Sequence, residues 1–223
     1  GEAYGPGGAT ARGAPEGLEL MADGATPLAV SSALRVLGLP EEMSATIAGW
    51  YDDFAAALAN FRGDPEVRRR GRDAASAFGE AVGPLVARSS ERDRGLLAQL
   101  ARTPEGDRLT DEEIIANALI ILFGGIETTA SMIGSTVWSL LATGSWDDFV
   151  DGRWTTAAVI EEALRWQPAV QSITRHTTED VSILGVSIPA GSVVQSMIGA
   201  ANRDPACLFE PGRFDRARRY GSG

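Results

Sequence analysis

The sequence predicts a mainly α-helical fold with a small β-sheet near its end, on three observations. Apolar residues recur at helical spacing over most of the stretch from Leu18 to Ser89. A long apolar segment, Ile114 to Leu141, holds Glu127 as its only charged residue and follows a helix-capping signature. Short β-branched segments appear only after Pro168. Helices therefore come first and a sheet too small to fold alone packs on them.

Composition excludes several classes of protein. The 223 residues are 44% hydrophobic, which is enough for a substantial core. A single cysteine, Cys207, excludes a disulfide scaffold, and with one histidine, His176, a four-ligand zinc site is not expected. The net charge of −10 argues against nucleic acid as a partner. No signal peptide is recognisable, so we expect a cytoplasmic protein.

The first half reads as a loop followed by helices. Residues 1–17 are rich in Gly, Ala and Pro and predict a loop or a cut end. Helical patterns follow over 18–39, 41–60 and 65–89, with a stop and restart at Leu39-Pro40. The run Arg68-Arg69-Arg70 is interpreted as a solvated helix face.

The next helix is expected to be long and central. Thr110-Asp111-Glu112-Glu113 is a capping box, and the predicted helix spans 110–143 with Gly144 ending it. Its apolar stretch is long enough to cross a bilayer. Several hydroxyl side chains make the segment less apolar, however, and a carboxylate at its centre costs roughly 2.5–3.5 kcal/mol on insertion into a membrane. We therefore expect a buried helix and no membrane partner.

The last third changes character. A helix is predicted over 155–167, capped by Thr155 or Thr156, and β segments over 170–198. An irregular, turn-rich stretch follows over 200–219.

The centre of the long helix carries the first candidate site, Gly124-Gly125-Ile126-Glu127-Thr128-Thr129. Each Gly in a helix interior costs about 1 kcal/mol relative to Ala. Two missing side chains would let a flat body approach the backbone, beside a carboxyl and a hydroxyl that form a plausible proton relay. The alternative is close helix packing around a satisfied acid.

Three further groups of residues are weak evidence of function when each is taken singly. Glu162 and Arg165 share a helix face and can pair, which is also the pattern of an exposed ion pair. Arg175 can hold a carboxylate bidentately or lie free at the surface. Two turn-rich segments, Ala201-Asn202-Arg203-Asp204-Pro205 and Pro211-Gly212-Arg213-Phe214-Asp215, read by themselves as loops.

In this order the four groups resemble the cytochrome P450 family of haem-thiolate monooxygenases, and the resemblance covers the chain from about Leu18. It implies that Gly124 and Gly125 line the oxygen-binding groove of the distal helix over haem. It implies that Glu127 and Thr128 are the catalytic acid–alcohol pair. Arg175 is then the propionate-binding arginine, and residues 171–174 face haem and substrate. Glu162, Arg165 and Arg213 form a structural ionic triad.

The resemblance also implies a soluble bacterial enzyme that oxidises a small organic substrate with dioxygen and electrons from a ferredoxin-type partner. In the family the iron ligand is a cysteine in a Phe-Gly-x-Gly-x-His-x-Cys-x-Gly loop after the meander, whereas this sequence ends at residues 219–223. Cys207 precedes Arg213 and is not that ligand, so no metal ligand is assigned. We expect an incomplete domain lacking this loop and the N-terminal portion, inactive alone and without haem-thiolate ligation.

Two alternatives remain open at this point. Some members of the superfamily lack the cysteine and activate a glycosyltransferase without haem, although such a helper has no need of Glu127, Thr128 or Arg175. A plain helical interaction protein would explain the fold and leave the Gly124-Gly125 pair unexplained.

Overall fold

The computed structural model describes residues 17, 19–60, 62–88, 93–104, 109–215 and 217–218. It confirms a mainly helical fold with short strands near the end. The expected loop over 1–17 lies, except for Gly17, outside the described residues.

Four helices precede the long helix in the described part of the chain. A π-helical turn, Met21–Ala25, leads directly into α1, Thr26–Leu37, which ends at Gly38 with a positive φ of 81°. A 3-10 turn, Glu41–Met43, precedes α2, Ser44–Leu58, and α3 spans Pro65–Ala87. Asp64 caps α3 by accepting from the backbone N–H groups of Glu66 and Val67. The sequence prediction did not include the short α4, Leu96–Ala101.

The long helix α5, Asp111–Ala142, begins at the expected capping box. Thr110 Oγ1 accepts from the Glu113 N–H at 3.2 Å, and a Glu113 carboxylate oxygen accepts from the Thr110 N–H at 2.8 Å. Gly144, with a φ of 67°, follows its last turn.

By length and composition α5 could cross a membrane. The helices α1 and α3 and a later helix, Thr156–Trp166, lie against it, while 28% of its most apolar stretch is buried within the described part of the chain. The main core cluster is built between α5 and the first four helices, around buried residues that include Leu34, Phe78, Ile114 and Ile126.

In the described residues of the last third, three helices accompany two pairs of strands. The helix α6 spans Trp146–Val150, and α7 spans Thr156–Trp166 with Thr155 as its cap. The strands are β1, Ile173–His176; β2, Val181–Ile183; β3, Val186–Ile188; and β4, Val193–Ser196.

The single small sheet of the prediction is two antiparallel pairs in the described residues. In one pair β1 lies against β4, and in the other β2 and β3 form a hairpin. The predicted β segment to 198 ends at Ser196, because Ile198–Ala201 forms α8, whose Gly-Ala-Ala lacks the β-branched residues that favour a strand.

Candidate functional site

The Gly124–Thr128 turn lies in the middle of α5, which stays α-helical through it. The Thr128 hydroxyl donates a hydrogen bond to the Gly124 carbonyl. A Cβ built on Gly124 would meet no described atom within 4 Å, whereas one on Gly125 would lie 3.8 Å from the Cβ of Ala33. Only Gly124 therefore borders open space. Gly125 lies beside α1, where an added Cβ would make an ordinary contact with Ala33, so its place in an oxygen-binding groove stays a prediction.

An apolar groove of about 690 Å³ runs from this turn along the second half of α5. Thr128 and Thr129 line it on α5, and Pro168, Ala169 and Val170 line it on the segment that follows α7. The groove thus joins the predicted acid–alcohol turn to the segment that leads into β1. The other lining residues are mainly apolar: Met132, Ile133, Thr136, Val137, Leu140, Trp146, Phe149, Thr156, Ile160, Leu164 and Ile198.

Glu127 is exposed and accepts a hydrogen bond from the hydroxyl of Tyr51 on α2, with 3.2 Å between Tyr51 Oη and Glu127 Oε2. Burial and the negative charge of Glu127 hold the pKa of Tyr51 well above its usual range, so the phenol stays protonated. Consecutive helical side chains do not face each other, so Glu127 and Thr128 leave α5 in different directions. The carboxylate lies towards α2 and the hydroxyl bonds its own helix.

Glu162 and Arg165 form a buried pair on α7, with relative exposures of 1% and 5%. Arg165 Nε and Nη2 donate to the two carboxylate oxygens of Glu162 at 2.8 and 2.7 Å, which is a bidentate pair. The same guanidinium donates to the backbone carbonyls of Asn202, Pro211 and Arg213 at 2.7–3.0 Å. The pair is therefore not the exposed ion pair of the simplest sequence interpretation; it holds the 202–213 loop on α7.

The second arginine that pairs with Glu162 is Arg218 and not Arg213. Arg218 Nε lies 3.2 Å from Glu162 Oε2, and its side chain is 8% exposed. The Arg213 side chain is 67% exposed and pairs with Glu210, while its backbone carbonyl accepts from Arg165. This corrects the predicted triad. The stretch from 213 to 218 contains three arginines, and spacing alone did not reveal which of them turns inward.

Aromatic rings surround the loop that Arg165 holds. Trp154 stacks on Phe214 with 5.4 Å between ring centroids, and Trp166 meets Phe214 edge to face at 5.5 Å. Trp166 Nε1 also donates to the Gly212 carbonyl at 2.9 Å, and the Arg203 guanidinium lies 5.5 Å from the Trp166 ring. The sequence alone does not reveal this cluster, because its rings come from three separate segments.

Arg175 lies exposed on β1, next to the equally exposed His176. Its Nη1 donates to the Thr174 carbonyl at 2.9 Å, and within the described ranges its guanidinium has no ion-pair partner. Gln171, expected to face haem and substrate, is exposed, and its side chain donates to the carbonyl of Pro168 at 2.7 Å.

Cys207 is exposed in a turn closed by its N–H to the Asp204 carbonyl, on the side of α7 that carries Glu161. It does not line the apolar groove. The part of the chain that the structure describes has no group of three His, Cys, Asp or Glu placed to hold a metal ion.

Comparison with known proteins identifies the family. Residues 153–219 match the family described as Cytochrome P450. The chain is 32% identical over 217 residues to Protein AknT of Streptomyces galilaeus, covering 93% of this chain and 48% of that protein. It is 32% identical over 210 residues to Vitamin D(3) 25-hydroxylase of Pseudonocardia autotrophica, covering 92% and 50%.

A solved structure, described as the crystal structure of CalO2, superposes with a TM-score of 0.82 at 33% identity. The superposition covers 91% of this chain and 51% of the CalO2 chain. The chain thus spans about half the length of the relatives it matches. With the open Gly124 turn, the Glu162–Arg165 pair and the loop it holds, these matches show that the chain belongs to the cytochrome P450 family.

Proposed function

We propose that the chain provides the distal helix and the Glu162–Arg165 region of a monooxygenase that oxidises a small organic substrate with dioxygen. Haem is the cofactor of the family, and a ferredoxin-type protein is the proposed electron donor. The observation that carries the proposal is the open face of α5 at Gly124, which lies beside Thr128 at the apolar groove.

The residues present fit haem in two respects. No described atom lies where a Cβ of Gly124 would be, so a flat ring can approach the α5 backbone there. Arg175 presents a guanidinium without an ion-pair partner in the described ranges, which suits a propionate carboxylate. When bound, haem would supply the activation of dioxygen.

The chain's own residues would supply protons and a dry surface. Glu127 is exposed, which leaves its carboxylate within reach of water, and Thr128 is half-buried at the groove. A proton taken up at a Glu127 carboxylate oxygen would reach Thr128 Oγ1 through a water molecule or after rotation of the Glu127 side chain. The apolar walls of the groove exclude water from an organic substrate.

Titration of the full chain with haemin, followed by absorbance, tests the proposal. We expect saturable binding that Arg175→Gln weakens and that Arg213→Gln, which removes another exposed arginine, leaves unchanged. Equal binding by all three proteins would contradict the role of Arg175. Absence of saturable binding would contradict the proposed function and favour a haem-free helper.

We also propose that this chain does not form a haem-thiolate complex, since Cys207 lies away from the groove. A carbon monoxide difference spectrum of the reduced, haem-loaded chain should lack the band typical of thiolate ligation. Appearance of that band would overturn this statement.

A further inference from the structure

Tyr51 connects the predicted catalytic acid to a second helix. Its hydroxyl donates to Glu127 Oε2 at 3.2 Å, across two helices that are far apart in sequence. Aromatic contacts hold Tyr51 in place. Its ring stacks on that of Phe123 with 6.1 Å between the ring centroids, and Phe54 meets Phe123 edge to face at 5.8 Å. Phe123 precedes Glu127 by one turn of α5, so the two side chains lie on the same face of that helix. Tyr51 therefore contacts Phe123 with its ring and Glu127 with its hydroxyl.

We infer that Tyr51 is a positioning residue, which holds the Glu127 carboxylate against α2 and away from Thr128. This inference rests on the proposed role of Glu127 in proton delivery. The phenol suits the task because it stays protonated and can always donate, since burial and the charge of Glu127 disfavour the phenolate. Asp52, the neighbour of Tyr51 on α2, adds a weaker repulsion of the same sign.

The small space beside Tyr51 and Phe123 is lined by apolar residues: Trp50, Phe54, Ala74, Phe78, Leu119 and Leu122. Glu127 is thus the polar partner of the hydroxyl. A displacement of α2 relative to α5 would free the carboxylate to turn towards Thr128.

Carboxylate labelling of the full chain tests the inference without haem. Carbodiimide coupling of an amine, located by mass spectrometry, reports how available each carboxylate is. Tyr51→Phe keeps the ring stacked on Phe123 and removes only the hydroxyl. We expect several-fold faster labelling of Glu127 in Tyr51→Phe, with Glu112, an exposed acid at the start of the same helix, unchanged as the internal control. An unchanged Glu127 rate overturns the inference.

Ionisation of Tyr51 gives a second readout, which reports the charge that Glu127 places beside the hydroxyl. The chain has three tyrosines, so Tyr4→Phe with Tyr220→Phe leaves Tyr51 alone to titrate. In that background Glu127→Gln should bring tyrosinate absorbance to lower pH by roughly one unit or more, and Glu112→Gln should not. Identical titrations of the Glu127→Gln and Glu112→Gln proteins also overturn the inference. Neither result depends on haemin binding, so failure here is distinguishable from failure of the proposed function.

Discussion

Arg218 shares the carboxylate of Glu162 with Arg165, with 3.2 Å between Arg218 Nε and Glu162 Oε2. Arg218 also donates to the backbone carbonyls of Phe209, Glu210 and Arg213 at 2.7–3.1 Å. Both guanidiniums therefore join one buried carboxylate to the carbonyls of the same loop. The loop 202–215 is held to α7 by backbone acceptors, and this explains why side-chain spacing alone misidentified the arginine.

Removal of the inward arginine should be far more costly than removal of the outward one. Arg218→Ala takes away one of the two arginines that pair with buried Glu162, and a lost hydrogen bond to a charged group costs about 1.5–3 kcal/mol, since Arg165 still compensates the carboxylate. Arg213→Ala removes an exposed surface pair and should change the free energy of unfolding by less than about 1 kcal/mol. Chemical denaturation of both variants checks this. Similar losses of unfolding free energy in the two variants would contradict the assignment of Arg218 as the inward arginine.

Gly124→Ala should stabilise the chain. The added methyl group meets open space, and Ala is better than Gly in a helix interior by about 0.5–1 kcal/mol. Thermal unfolding should therefore show a higher Tm, while haemin binding weakens because the methyl group covers the open backbone. A lower Tm would indicate that an atom of the chain occupies this face.

Gly71→Ala makes the same chemical change where there is no room. Its Cβ would lie 2.2 Å from the Cβ of Ala57, where α3 packs on α2. Overpacking of this kind costs about 1–3 kcal/mol. Gly79→Ala on the same helix, with 3.6 Å to Ile115 Cγ2, is the matched control and should not destabilise. Equal Tm values for the two variants would contradict the packing of α2 on α3.

Acid should weaken the start of α5. Hydrogen bonds from Thr110 lower the pKa of Glu113, so its carboxylate is favoured in the folded state. For an acid with a depressed folded-state pKa, the stabilisation is present above the unfolded pKa and is lost as pH falls through the folded pKa. Glu113→Gln can keep the hydrogen bond without titrating. The fall of Tm in the acid range should therefore be shallower in Glu113→Gln, and parallel curves would contradict this.

Much of the fold could be predicted because its signals are local. The capping box at Thr110, the glycine after α5 and the β-branched runs act through neighbours in the chain. The short helices α4, α6 and α8 were missed, because segments of four to six residues carry too little periodicity to be recognised. The separation of the strands into two pairs depends on contacts across turns, which periodicity does not encode.

In the candidate site, too, some features follow from local spacing and others from tertiary contacts. The sequence by itself determined the Gly124–Thr128 turn, the Glu162–Arg165 pair and their order along the chain, since helical spacing sets which side chains share a face. Only the tertiary structure decided that Gly125 packs on α1, that Tyr51 binds Glu127 and that Arg218 replaces Arg213 at Glu162. Each of these depends on which element crosses another and where a buried charge finds its donors, and chain spacing does not contain that information.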